Sequence, residues 1–251
     1  MLNFLYSLML ESGVPIQRWQ KDLVKFKNIH KGKTCVLVGN GPSVNHHDLL
    51  QLNQLNLITF VFNRFHKVYD EIEFEPTYTL SIDPSFIDDF FEELLESSKG
   101  TLFIGHHQYL PVMQGFKWIR VKDTEVFEFG ENPLKSISPG GSVVVAAIQL
   151  AYYMGCKDIY LYGIDHSFHI ENNAENSNGK VQGEGNHFIK NYRSNKAWFP
   201  PDTAKIEQSF ITCLDKINSE NGKLINISRE SKLPRVPRMD FNDFIETYTD
   251  N

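Results

Sequence analysis

Residues Gly39, Asn40, Gly41, Pro42 and Ser43 follow the apolar run Cys35–Val38 and lead into a helical pattern. Glycines on either side of an Asn let a ligand approach the backbone closely. Ser43 and the amides after it would open a helix, which suits an anion. A tight strand-to-helix turn that holds nothing is the competing account. The segment is neither of the two common phosphate loops. Val44 stands where the dinucleotide fingerprint needs a third glycine, and no Lys follows to complete a P-loop, so NAD and Walker-type ATP binding are not expected. A second glycine turn, Ser138-Pro139-Gly140-Gly141-Ser142, also opens a helical run. Gly140, Gly141 and Ser142 can present amides to a second phosphate or a nucleotide, or let a helix pack closely on a sheet.

Two acids end apolar runs, Asp83 and Asp165. Each can hold ribose hydroxyls, hold a divalent cation through phosphate oxygens, or cap the next helix. Of nine histidines, His106, His107, His166, His169 and His187 fall near the same ends. No HxxxH or HExxH pattern is present, so no zinc site is expected. One histidine can act as a general base, because imidazole titrates near neutral pH. His187 is the first choice: Tyr192, Arg193, Lys196 and Trp198 follow it and suit an anionic or sugar substrate. With Asp165 it makes the catalytic pair expected here, and His166 is expected to touch substrate. No GxSxG elbow for a Ser-His-Asp triad is visible.

These residues need a frame. Short β-branched runs bounded by glycines read as buried strands at 34–39, 57–63, 77–83, 100–107 and 157–165, with further strands at 117–121 and 223–228. Helical patterns fall at 3–27, at 43–52 with Ser43 near the N-cap, at 84–98, at 142–154 and at 201–222. Alternating strands and helices predict an α/β, Rossmann-like, mainly parallel sheet with helices on both faces. Ligands of such sheets bind outside the carboxyl ends of the strands, where Gly39–Ser43, Asn63, Asp83, His106 and Asp165 fall. The organisation expected is an N-terminal helical extension over 1–30 and a catalytic domain over 31–251. Within it, the long polar stretch at 166–200 reads as a lid.

The chain has 251 residues, a formal charge of −6 and 41% hydrophobic residues. A sizeable core is therefore possible, and general nucleic-acid binding is not expected. Three cysteines without a CxxC pair fit a reducing cytoplasm. The opening MLNFLYSLML lacks the basic leader and cleavage site of a signal peptide. It can pack on the domain, or lie on a membrane or a partner.

The segments GKTCVLVGNGPSV, ITFVFNR, PTYTLSIDP, GGSVVVAAIQLAYYMGCKDIYLYGIDHSF and GKLINISRESKLPRVPRMDF together resemble one bacterial family. Its members are labelled after the archaeal 6-hydroxymethyl-dihydropterin pyrophosphokinase and are found in surface-polysaccharide gene sets. The resemblance spans roughly residues 20–245. The same motifs are similar to small CMP-sialic acid sialyltransferases and to the cores of motility accessory factors. It implies a glycosyltransferase with a nucleotide-sugar donor, CMP-linked and sialic-acid-like, and a glycan acceptor, needing no metal. Gly39, Asn40, Gly41, Pro42, Ser43 and Asn63 would bind the donor, with Asp83, Gly140, Gly141 and Ser142 completing the nucleotide site. Tyr192, Arg193 and Lys196 would hold substrate, and Arg193 or Lys196 the departing phosphate. The sialyltransferases carry Asn where this chain has Asp83. The pyrophosphokinases have an Asp-containing turn where it has Asn63-Arg64. A pyrophosphokinase would use ATP and Mg²⁺ through Asp83 and Asp165. A binding module without turnover is the third expectation, and peripheral contact with the inner face of a membrane accompanies the first.

Overall fold

The computed structural model describes residues 8, 10–106, 114–169, 179–181, 183–194 and 196–249. His107, part of the opening apolar segment and the middle of the expected lid lie outside these residues.

Seven strands form one sheet: β1 (Thr34–Val38), β2 (Ile58–Phe62), β3 (Tyr78–Ser81), β4 (Thr101–His106), β5 (Lys117–Arg120), β6 (Asp158–Tyr162) and β7 (Lys223–Asn226). Every pairing is parallel and the order is β5-β4-β3-β2-β1-β6-β7. Residues alternate between the two faces as the pleat requires. Cys35, Leu37, Phe60, Phe62, Ile159 and Leu161 enter one core. Val36, Val38, Val61, Tyr160 and Tyr162 enter the other. Both faces are thus buried, and this is why the strands read as unbroken apolar runs.

The first core is covered by α1 (Arg18–Val24), α4 (Val143–Tyr153) and α5 (Thr203–Ser219). The helix α4 is buried nearly all round, from Val144 to Ala151, so it packs inside the domain. The second core is covered by α2 (His46–Gln54), by the 3₁₀ turn Asn63–Val68, by the start of α3 (Pro84–Ser97), and by α6 (Phe241–Thr249).

Three local expectations change. The helix expected over 3–27 is interrupted, because Gly13 has φ +69° and Pro15 cannot donate into a helix. Only Arg18–Val24 continues beyond it, and Trp19 meets Trp118 of β5 edge-on at 4.8 Å. Ser43 does not cap α2; Asn45 does, its side chain accepting from the Asp48 amide. The C-terminal helix α6 was not expected; Phe241 and Phe244 are buried and Phe244 packs on Tyr160 at 4.7 Å.

Candidate active site

The chain leaves β1 and β6 side by side, and to either side of this pair the sheet runs off in opposite directions. This is the switch point, where such sheets hold ligands. The turn after β1 and the turn after β6 cross in close contact. Gly39 N donates to Tyr162 O at 2.7 Å, and Gly41 N donates to Gly163 O at 2.9 Å. A Cβ on Gly41 would lie 2.6 Å from Asp165 Cγ and 2.7 Å from Gly163 O. This crossing alone requires glycine at position 41.

Asp165 then closes the crossing. The Ser43 amide donates to its Oδ2 at 2.7 Å, and the Ser43 hydroxyl donates to its Oδ1 at 2.5 Å. The donors that the sequence offered to a phosphate are taken by this carboxylate. Expected as a catalytic group, Asp165 spends both oxygens on bracing the turn. Burial raises its carboxyl above the usual carboxylate range, and the bonds from Ser43 oppose this without reversing it.

A cleft of about 180 Å³ opens beside the crossing. Gly39 through Pro42, Asn63, Ser142, Asp165, His166, Phe168, His187 and Tyr192 line it. A second hollow of about 490 Å³ continues it, sharing Asn63, Ser142 and Val143 and adding Asp83, Asp123 and Gly141. A larger hollow of about 680 Å³ lies at the other end of the sheet, where Lys157 and Gly222 precede β6 and β7. That end does not bind ligands in open α/β sheets, so the smaller pair is the candidate.

Asn40 is held from several sides. Its Nδ2 donates to Phe62 O and to Tyr192 Oη, each at 3.1 Å, and its backbone oxygen accepts from Phe188 N at 3.0 Å. Its Oδ1 is buried with no partner among the described residues. A buried acceptor left open in this way costs about 1–3 kcal/mol, which a ligand donor would recover. Asn63 adopts φ +52° at the end of β2, and its Oδ1 accepts from Ser81 Oγ at 2.8 Å.

The other expected residues divide. Asp83 is the N-cap of α3, accepting from Ser85 N and Phe86 N at 2.9 and 3.3 Å. Ser142 caps α4 through Val144 N at 3.3 Å. Gly140 is buried and lines neither hollow; a Cβ there would meet Val145, Ser209 and Phe127, so its role is packing. Gly141 faces the second hollow. His187 stacks on Tyr192 with ring centroids 3.8 Å apart, and burial, aided by the nearby Arg193 charge, pushes it down to about 4. His166 adopts φ +50°, and its Nε2 lies 2.9 Å from Glu207 Oε1 of α5.

Arg193 and Lys196 line neither hollow. Arg193 donates to Ala197 O at 3.0 Å, lies 3.7 Å from Asp89, and sits over the Phe86 and Phe90 rings. Lys196 pairs with the same Asp89 at 3.2 Å. Both grip α3, where a carboxylate meets them, and neither is placed to steady a leaving phosphate. No Lys or Arg is among the described residues that line the two hollows. An anion there would be held by amides and hydroxyls. Among the described residues, no three His, Cys, Asp or Glu side chains are grouped so as to hold a metal ion.

Sequence reasoning missed three supports. Arg64 Nη1 donates to Tyr192 O at 2.6 Å and to Ser194 Oγ at 2.8 Å, and its Nε donates to Glu93 at 2.8 Å. Gln149, fully buried in α4, accepts from Gly130 N and Ser138 N and donates to Ser138 O, fixing the approach to the second glycine turn. Asp48 is fully buried and takes two bonds from Arg229. A polar residue amid apolar neighbours was the available signal for Gln149; the partners of the other two lie far away in sequence.

The fold and cleft define a Rossmann-like α/β protein with a candidate site at the switch point. The chain belongs to the MptE-like family, described as 6-hydroxymethylpterin diphosphokinase MptE-like, whose model matches residues 15–171. No curated protein matches it. Among solved structures it is similar to the MAf glycosyltransferase from Magnetospirillum magneticum AMB-1, with a TM-score of 0.50 and 12% identity over 95% of this chain. The match covers 42% of that protein's length, and at this identity it shows a shared fold. The sialyltransferase CstII from Campylobacter jejuni, in complex with cytidine-5'-monophosphate, aligns with a TM-score of 0.44 and 16% identity over 83% of this chain and 85% of its own.

Proposed function

We propose that this chain is a glycosyltransferase that moves a CMP-activated, sialic-acid-like sugar onto a glycan acceptor in surface glycan synthesis. The observation that carries the reading is the groove at the switch point, lined by the Gly39–Pro42 turn, Asn63, Ser142 and two histidines. The nucleoside would be read by Asn40, through its unpartnered Oδ1, and by Asn63. The phosphate would lie near Gly141 and Ser142, because the Ser43 donors are engaged by Asp165. Transfer from a nucleoside monophosphate needs the donor's anomeric centre held against an acceptor hydroxyl and a base to take its proton. No cofactor is called for.

The family's description favours a second reading, an ATP-dependent 6-hydroxymethylpterin-type diphosphokinase. That chemistry asks Asp83 and Asp165 to ligate Mg²⁺. Here one caps a helix and the other is bonded twice to Ser43, which favours the first reading. A nucleotide- or glycan-binding module without turnover is the third. Thermal unfolding separates them. With CMP at about 100 times its Kd and no Mg²⁺, the midpoint should rise by roughly 5 °C. A rise only with ATP and Mg²⁺ would sink the transferase reading. Product detection with CMP-linked sugars separates turnover from binding alone.

The working place proposed is the cytoplasmic face of a membrane. All three cysteines are free and buried. No helix among the described residues is long and apolar enough to cross a bilayer. Val14, Ile16, Val24 and Ile29 are exposed near the outward-facing Arg18, Lys21 and Lys25, a mixture suited to an anionic surface. Sedimentation with anionic vesicles, absent with neutral ones, is the expected result; no sedimentation with either removes this placement.

A further inference from the structure

His166 and His187 both line the cleft, but only one is built to handle a proton. The His166 ring nitrogen Nε2 lies 2.9 Å from Glu207 Oε1. Its side chain is 6% exposed, while Glu207 is 38% exposed and open to solvent. The geometry has Nε2–H donating to the carboxylate, which leaves the Nδ1 lone pair available, and Nδ1 has no hydrogen bond among the described residues. A carboxylate behind an imidazole fixes its tautomer and steadies the imidazolium formed when it accepts a proton. His187 has no such partner: it makes no hydrogen bond among the described residues and lies flat on Tyr192.

The backbone supports the same choice. His166 is held at φ +50°, a left-handed conformation uncommon outside glycine and concentrated at functional sites. It follows Asp165 directly, so the brace on Ser43 also sets where this ring begins. Glu207 comes from α5, whose Ile206 and Phe210 form part of the cleft wall. Two rigid elements, the end of β6 and the start of α5, thus hold the pair at the edge of the groove.

We propose that His166, held in one tautomer by Glu207, is the general base of the transfer, with Glu207 as its positioning residue. This rests on the transferase reading above. The acceptor O–H bond breaks as its oxygen bonds to the anomeric carbon of the donor. The bond from that carbon to the phosphate oxygen breaks, and its electron pair leaves with CMP. The proton passes to His166 Nδ1 and then to water.

The experiment uses the full chain with a CMP-linked sialic acid and a glycan acceptor, and compares His166→Asn, Glu207→Gln and His187→Asn. Asn tolerates the left-handed backbone, so the first variant keeps the turn. His166→Asn should lower kcat by about 100-fold or more, and the Kd for CMP should stay within about twofold of the parent. Glu207→Gln should lower kcat by about tenfold. By ¹⁵N NMR, the His166 ring should be the Nε2–H tautomer in the parent and a mixture in Glu207→Gln, a change that merely structural damage would not single out. Parental kcat in His166→Asn, with the loss appearing in His187→Asn, overturns the assignment. So does a His166 ring that is not the Nε2–H tautomer in the parent. If the parent chain neither binds CMP nor turns over the donor, the transferase reading itself fails and the base assignment falls with it.

Discussion

Asp48 and Asp165 are both buried carboxylates attached to the segment that follows β1, and their surroundings shift them in opposite directions. Burial pulls both upward. At Asp48 it is outweighed by bonds from Arg229 at 2.7 and 2.8 Å, from Tyr162 at 2.8 Å and from Asn45, so the group lies below the usual carboxylate range. At Asp165 the partners are one amide and one hydroxyl of Ser43, with no ion pair among the described residues, and the group stays raised. The compensated acid anchors α2 to the C-terminal segment. The uncompensated one faces the cleft, the kind of place where perturbed groups gather in functional sites.

The largest effect should come from removing the compensation. Arg229→Met leaves Asp48 charged and buried, and urea unfolding should show a loss of about 3 kcal/mol; a loss below about 1 kcal/mol would mean that Arg229 is not what holds Asp48. Next is Gly41→Ala, whose added methyl would press on the Asp165 carboxylate and on Gly163 O. Overpacking of this kind costs about 2 kcal/mol, read by the same unfolding, and an unchanged midpoint would show that the crossing is looser than described. Ser43→Ala should cost about 1.5 kcal/mol in the same unfolding measurement by removing a hydrogen bond to a charged group.

The pH dependence sharpens the contrast, because the two signs differ. With a lowered folded value, Asp48 gives stability that is full above about pH 3.8 and is lost as pH falls through its folded value. With a raised folded value, Asp165 gives stability that is full below about pH 3.8 and is lost as pH rises through its folded value. Asp165→Asn should therefore gain on the parent as pH climbs from about 3.5 to 7. Asp48→Asn should instead lose ground on the parent at lower pH, as pH climbs toward about 3.8. Unfolding curves of both variants from about pH 2 to 7 check it, and parallel trends would erase the distinction.

Strands were legible because both sheet faces are buried, which turns Thr34–Val38 and Asp158–Tyr162 into compact apolar runs. The edge of the sheet that holds the site followed from those runs. Partners were not legible. Ser43 and Asp165 are 122 residues apart, and nothing local says that the serine's donors are already taken. Arg193 and Lys196 have the right type for a phosphate, but Asp89 on α3 reaches them first. Glu207 sits in an amphipathic helix where an acid is ordinary until His166 is seen beside it. The helix α6 left a signal that was passed over: Phe241, Phe244, Ile245 and Tyr248 follow helical spacing.

Arg64 follows Asn63 directly and fastens Tyr192 and Ser194 from below. Asn40 fastens the Tyr192 hydroxyl from above. Tyr192 is therefore a latch shared by the ends of β1 and β2, and its release must disturb both. Occupancy of the groove and opening of the chain at 191–194 are then linked quantities: a ligand that disfavours opening is bound more tightly by the closed chain, by the same factor at equilibrium. Amide hydrogen exchange at Tyr192 and Arg193 would report occupancy without any chemistry being measured, and would do so for any ligand of the groove.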